Sequence, residues 1–170
     1  MIAQPARVVR SIILVAVVVS WASGCASKQT VRPTAKPEPA ASARPAPRPG
    51  IGQRAADIAL QQVGTPYRYG GSSPSGFDCS GLVHYSYANV GKSVPRTTGG
   101  LWKGLAPVDD RDMRVGDLLF FSIAGKMSHV GLYLGGGRFV HAPSSGKVVS
   151  VETLTSDYYR QAFIRAGRPR

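Results

Sequence analysis

One cysteine and two histidines in the body of this chain have the types and spacing for nucleophilic chemistry: Cys79, His129 and His141. A thiol attacks as the thiolate, so it needs a base to take its proton and a third group to orient that base. Cys79 follows a Gly/Ser/Pro-rich stretch and precedes an apolar run with helical spacing, and so reads as the start of a helix that Asp78 can cap. There the unpartnered amides and the helix dipole favour the thiolate. His129 and His141 lie twelve residues apart around Gly135-Gly136-Gly137, a spacing that predicts a β-hairpin with the two imidazoles across from one another. One would pair with Cys79 and the other would orient the first. Taken alone, two hairpin histidines read more readily as a solvent-facing pair without a role; the unpaired cysteine at a helix start shifts the balance to catalysis. The third histidine, His84, lies five residues past Cys79, about 140° around the helix, and reads as structural or surface.

The elements that must position these groups follow from the hydrophobic pattern. Ile51, Ala55, Ile58, Ala59 and Val63 fall near one helical face, with Gly64 as a stop. Residues 65–76 are a Gly- and Pro-rich loop close to the thiol in sequence. The helix of Cys79 carries Leu82, Val83, Tyr87 and Val90 and closes at Gly91. Leu118-Leu119-Phe120-Phe121 is a short apolar run of buried-strand type, and Val148–Val151 and Phe163–Ala166 read as further strands. Tyr69 and the strand aromatics are expected in the core. Helices first and antiparallel strands later give an α+β layout.

The charge is uneven. Of 21 Lys/Arg and 9 Asp/Glu (net +12), residues 1–50 hold seven basic groups and one acid, Glu38, leaving fourteen against eight, or +6, for residues 51–170. Such a balance suits an anionic partner such as a membrane or an acidic wall polymer, or simply a soluble surface. No zinc-finger spacing and no basic helix with heptads is present, so nucleic acid is not an expected partner. Residues 1–24 carry Arg7 and Arg10, then the apolar run Ile12–Val19, then small residues before Cys25. The run is about half the roughly 20 residues that a bilayer span needs, and fits an export signal. Ala22-Ser23-Gly24-Cys25 resembles a bacterial lipoprotein cleavage box, although that class usually has Leu where Ala22 stands. This resemblance implies acylation of Cys25 and a membrane anchor; an ordinary secretory signal with an incidental Cys25 is the alternative. Ala26, where Asp would mark inner-membrane retention, leans towards the outer membrane facing the periplasm. Residues 25–50, with six prolines, read as a disordered tether of about 75 Å at roughly 3.1 Å per residue. The expected division is thus 1–24 signal, 25–50 lipidated cysteine and linker, and 51–170 catalytic domain. A Cys25–Cys79 disulfide is possible on count alone, but each cysteine has its own local explanation.

Six blocks, in order, carry a more specific likeness: Tyr67-Arg68-Tyr69-Gly70-Gly71, Phe77-Asp78-Cys79-Ser80-Gly81-Leu82-Val83, Pro95-Arg96-Thr97-Thr98, Gly116–Phe121, Ser128–Gly135 and Phe139-Val140-His141-Ala142. Together they resemble the NlpC-type cell-wall endopeptidases, papain-like cysteine peptidases of bacteria, over about residues 54–168. The resemblance implies a papain-like α+β fold with N-terminal helices packed on an antiparallel sheet. It implies Cys79 as nucleophile, His129 as general base and His141 as its orienting partner. It makes Tyr67 a wall of the site, and Asp78 and Ser80 binders of a free substrate amine in members that require one. Capping of the helix is the other reading of Asp78. The implied reaction is hydrolysis of peptidoglycan stem peptides, typically between D-γ-glutamyl and a diamino acid, with no cofactor or metal. Leu101 departs from the pattern, since many relatives carry Gln there, which puts one site-wall or packing contact in question. An amidase or transacylase on the same scaffold and a non-catalytic wall-binding lipoprotein are the competing functions. A protein that restrains the activity is a further expected partner.

Overall fold

A computed structural model describes residues 48–170. The signal, Cys25 and nearly all of the linker lie outside the described residues. Helix α1 spans Ile51–Leu60 and buries Ala55, Ala56 and Ala59. This corrects the stripe read from the sequence: Ile51 and Val63 are 46% and 50% exposed. Alanines serve better because the helix lies close to its neighbours; a Cβ on Gly52 would meet the Val115 carbonyl at 2.7 Å. A two-residue hairpin, β1 (Ser72–Ser73) and β2 (Gly76–Phe77), leads into α2 (Cys79–Ala88) and then α3 (Thr98–Gly104).

The rest of the chain builds the sheet. Its strands are β3 (Ala106–Val108), β4 (Leu118–Ile123), β5 (Lys126–Gly135), β6 (Arg138–His141), β7 (Ser150–Thr153) and β8 (Phe163–Arg168), with the short helix α4 (Asp157–Ala162) before β8. They pair in the order β3-β8-β4-β5-β6-β7, antiparallel throughout. The α+β architecture expected from the sequence is the one observed; β3, α4 and the β1–β2 hairpin were not expected.

Alternation along the strands sorts side chains to two faces. Leu118, Phe120, Val130, Leu132 and Val140 join Ala55, Ala59, Leu82, Val83 and Tyr87 of the helices in the main core. Leu119, Phe121, Tyr133, Phe139 and Ala166 form a second cluster on the opposite face, with Tyr159 and Ala162 packed against it. Both faces of β4 are therefore covered, which explains its unbroken apolar run. Leu101 is fully buried in the main core, so the departure there affects packing. Tyr69 is 90% exposed, contrary to the expected core position. It follows the Tyr67 backbone bridge to Phe77 and precedes Gly70, whose φ of 72° turns the chain outward.

Candidate active site

Cys79 is the first residue of α2. Asp78 is extended (φ −89°, ψ 173°) and its Oδ1 accepts from the Gly81 amide at 2.6 Å, which caps the helix as the sequence predicts. The same carboxylate forms a two-pronged ion pair with Arg96, Nη1 to Oδ1 and Nη2 to Oδ2, both 2.9 Å. Ser80 donates to Oδ1 at 3.2 Å, and Arg96 also donates to the Ser80 hydroxyl and to the Gly71 carbonyl. A methyl group on Gly81 would collide with that carbonyl, so the helix start can dock on the loop only with glycine there. Burial pushes the Asp78 carboxyl up, but Arg96, the Gly81 amide and Ser80 outweigh it and hold the group below the usual range. Asp78 and Ser80 are thus engaged within the protein, and they also line a cleft with Tyr67, Tyr69, Gly70, Cys79, Arg96, Thr97, Thr98 and Ser128.

The loop before α2 is pinned by backbone hydrogen bonds. Tyr67 N–H donates to the Lys147 carbonyl at 2.8 Å, and Phe77 N–H donates to the Pro66 carbonyl at 3.1 Å. These bonds hold Tyr67 beside the thiol. Burial raises the Tyr67 phenol, and nearby Cys79 and Asp78 raise it further, so its hydroxyl keeps a proton to donate.

The histidines are placed by strand geometry. Strands β5 and β6 pair Leu132 with Val140 and Tyr133 with Phe139. Carried one pair further, this register sets Gly131, not His129, opposite His141. The two histidines are diagonal neighbours on one face, still within reach of long side chains. A Cβ on Gly131 would meet the Phe139 ring at 2.6 Å, so glycine leaves room between them. Next to His129 the pairing shifts: Phe121 faces His129 but Ser122 faces Met127, leaving Ser128 as an extra residue on β5. Such a bulge re-aims the adjacent side chain. His129 Nε2 and His141 Nδ1 end 2.7 Å apart, both rings buried. His141 Nε2 faces the Tyr159 hydroxyl at 3.4 Å and the Ser150 hydroxyl at 3.5 Å. Phe121, fully buried, packs tilted against His129 with ring centroids 5.9 Å apart.

Cys79 and His129 line one cavity of about 560 Å³, together with Tyr67, Ile123, Ser128, Lys147, Glu152, Tyr158 and Tyr159 among others. His129 spends Nε2 on His141, which leaves Nδ1 as its free ring nitrogen. Cys79 Sγ lies 3.5 Å from the Thr98 hydroxyl. Burial pushes the thiol up, opposite to the effect expected of a helix start alone; the Thr98 hydroxyl and the Val130 and Ser80 amides pull it partly back. Burial likewise lowers both imidazoles, and for His141 the neighbouring His129 and Lys147 add to the effect. The resting site therefore favours a neutral thiol beside neutral imidazoles. His84 sits apart, its Nδ1 3.0 Å from the Val94 carbonyl. Among the described residues no group of three or more His, Cys, Asp or Glu could hold a metal ion.

Thr98, Tyr159, Ser150, Lys147 and Glu152 were not singled out from the sequence as site residues. Thr98 stood in one of the six blocks. Glu152 reaches the site through the β6–β7 pairing and Lys147 through the backbone bond from the Tyr67 amide, neither of which leaves a local motif.

A sequence model described as the NlpC/P60 family matches residues 64–168. The chain is 40% identical over 126 residues to the murein DD-endopeptidase MepH of Escherichia coli K12, covering 68% of this chain and 46% of that protein. It is 43% identical over 109 residues to the γ-D-glutamyl-L-lysine dipeptidyl-peptidase of Bacillus subtilis, covering 62% of this chain and 37% of that protein. It thus spans less than half the length of either relative. Among solved structures, the NlpC/P60 domain of the peptidoglycan hydrolase SagA superposes with a TM-score of 0.61 at 35% identity, covering 69% of this chain and 97% of that domain. An NlpC/P60 protein of Bacillus cereus gives a TM-score of 0.66 at 31% identity, covering 72% of this chain and 41% of that chain.

Proposed function

Because the chain belongs to the NlpC/P60 family, we propose that it is a cysteine peptidase of peptidoglycan stem peptides, cutting between D-γ-glutamyl and a diamino acid. One observation carries this reading: the thiol of Cys79 and the imidazole of His129 open into one cavity, and His141 holds the far nitrogen of His129 at 2.7 Å.

His129 Nε2–H donates to His141 Nδ1, so His129 Nδ1 carries a lone pair for the thiol proton. His141 then keeps its proton on Nε2, facing the Tyr159 and Ser150 hydroxyls. When the Cys79 proton moves to His129, opposite charges form together, which offsets the burial that disfavours either alone. Sγ adds to the γ-glutamyl carbonyl. The developing oxyanion is met by the Cys79 amide, which has no intrahelical partner, and by the Tyr67 hydroxyl. Collapse breaks the C–N bond as His129 returns its proton to the leaving amine, and a thioester remains on Cys79. Water, deprotonated by His129, releases the acid and restores the thiol. Asp78 and Ser80 are proposed as binders of a free substrate amine. Because Arg96 already balances the Asp78 charge, that contact is chiefly one of hydrogen bonding.

Mass analysis of muropeptides digested by the full chain tests the reading. New γ-D-glutamyl termini, absent with Cys79→Ala, are expected. Intact stems freed from sugar would make the protein an amidase instead, and cleavage at cross-links between stems would move the bond. We also propose that residues 1–24 are a signal, that Cys25 is lipidated and that residues 25–50 tether the domain of residues 51–170 at the outer membrane, facing the periplasm. Cys25→Ser is expected to abolish fatty-acid labelling and membrane sedimentation; unchanged sedimentation of that variant would remove the anchor from this account.

A further inference from the structure

The cavity beyond His129 holds two charged side chains that the proposed chemistry does not use, Lys147 and Glu152. Neither forms an ion pair or a side-chain hydrogen bond with the other described residues. Backbone hydrogen bonds fix where they stand. Glu152 faces Phe139 across β6 and β7, two residues along from Ser150, which faces His141. Lys147 lies where its backbone carbonyl receives the Tyr67 amide, and its charge helps to lower His141. The charge of Glu152 reaches Tyr159. A cation and an anion thus line one cavity, and Ile123 and Tyr158 add apolar surface to its wall.

The direction of the substrate decides what these charges meet. His129 protonates the departing amine, so the leaving residue must lie on the imidazole side of Cys79, in this cavity. The acyl side then occupies the cleft of Asp78, Ser80 and Arg96. We propose that Lys147 and Glu152 form a leaving-group subsite that reads the far end of the departing diamino acid when that end is a zwitterion. Lys147 takes the distal carboxylate and Glu152 the distal ammonium, while the methylene chain lies along Ile123 and Tyr158. This rests on the stem-peptidase reading above. It assigns the chain a preference for a diaminopimelate-type residue, which carries both distal charges, over lysine, which carries only the ammonium.

The test uses the full chain with two soluble tripeptides, L-alanyl-γ-D-glutamyl-meso-diaminopimelate and L-alanyl-γ-D-glutamyl-L-lysine, and compares kcat/KM. The parent is expected to prefer the diaminopimelate stem about tenfold or more. Lys147→Gln is expected to lower that preference about tenfold, chiefly on the diaminopimelate stem, while Glu152→Gln weakens both stems. Each ratio is read on a single preparation, so a misfolded fraction cancels. A parent that cleaves both stems equally, or a Lys147→Gln variant that keeps the parent's preference, overturns the subsite and leaves the peptidase reading standing. A parent that cleaves neither stem overturns both.

Discussion

Two clefts meet at Cys79, and they use charge in opposite ways. On the helix-start side every charge is matched: Asp78 is capped into the helix and clamped by Arg96, which also ties down Ser80 and the Gly71 carbonyl. On the imidazole side, burial keeps the histidines neutral while Lys147 and Glu152 carry charge without a partner among the described residues. Matched charge makes a rigid frame, because every group there already has its bond. Unmatched charge and neutral bases leave capacity that a substrate can use. The thiol sits at the boundary, raised by burial and steadied by the Thr98 hydroxyl, the Val130 and Ser80 amides.

The contrast can be broken from either side. The largest effect belongs to the imidazoles. His129→Ala is expected to lower kcat/KM about 10³-fold with little change in melting temperature. Because burial lowers both histidines, His129 stays unprotonated to lower pH than a free imidazole. The acid limb of kcat/KM is therefore expected below the ordinary value of 6.5. Stability follows the same sign. As pH falls below 6.5 the unfolded chain binds protons that the buried imidazoles refuse, so denaturation midpoints drop in that range. A limb at or above 6.5 would place the imidazoles in water.

His141→Ala is expected to cost about 10²-fold, with partial recovery in His141→Asn, which can still accept from His129 Nε2. Equal rates in the two variants would show that His141 does not orient the base. On the frame side, Arg96→Met leaves the Asp78 charge unmatched. With Arg96 about one-third exposed, the expected loss is about 2 kcal/mol by chemical denaturation, between the surface and buried limits. The lowered Asp78 carboxyl adds stability above its ordinary 3.8 that is lost as pH falls through its depressed value, and Arg96→Met is expected to flatten that acid loss. The smallest change is Tyr159→Phe, which removes one acceptor from His141 Nε2 while Ser150 remains. About a threefold drop in kcat is expected, visible in steady-state kinetics.

The fold and the reacting atoms were legible to different degrees. Cys79 announced itself through Asp78 and the apolar run after it, because a helix cap is a local signal. The hairpin was legible in its glycines, whose φ angles are all positive from Gly135 to Gly137. Its register was not: the histidines meet diagonally rather than face to face, since Gly131 and the Ser128 bulge set the pairing. The alanine stripe of α1 was misjudged because close packing favours small residues over the larger Ile51 and Val63. Arg96, Lys147 and Glu152 meet their neighbours through tertiary pairing, so nothing near them in sequence foretold the partnered clamp or the unpartnered pair. The rise of the thiol followed the same logic, for burial is a property of the fold and helix polarity is a property of the segment.

The most direct test of the account is to catch its intermediate. The full chain is mixed with excess L-alanyl-γ-D-glutamyl-diaminopimelate, quenched in acid during turnover and analysed by peptide mass spectrometry. An alanyl-γ-glutamyl thioester is expected on the peptide containing Cys79, formed in the parent and absent in Cys79→Ala. Continued turnover by Cys79→Ala, or an acyl group found on another residue, would contradict it.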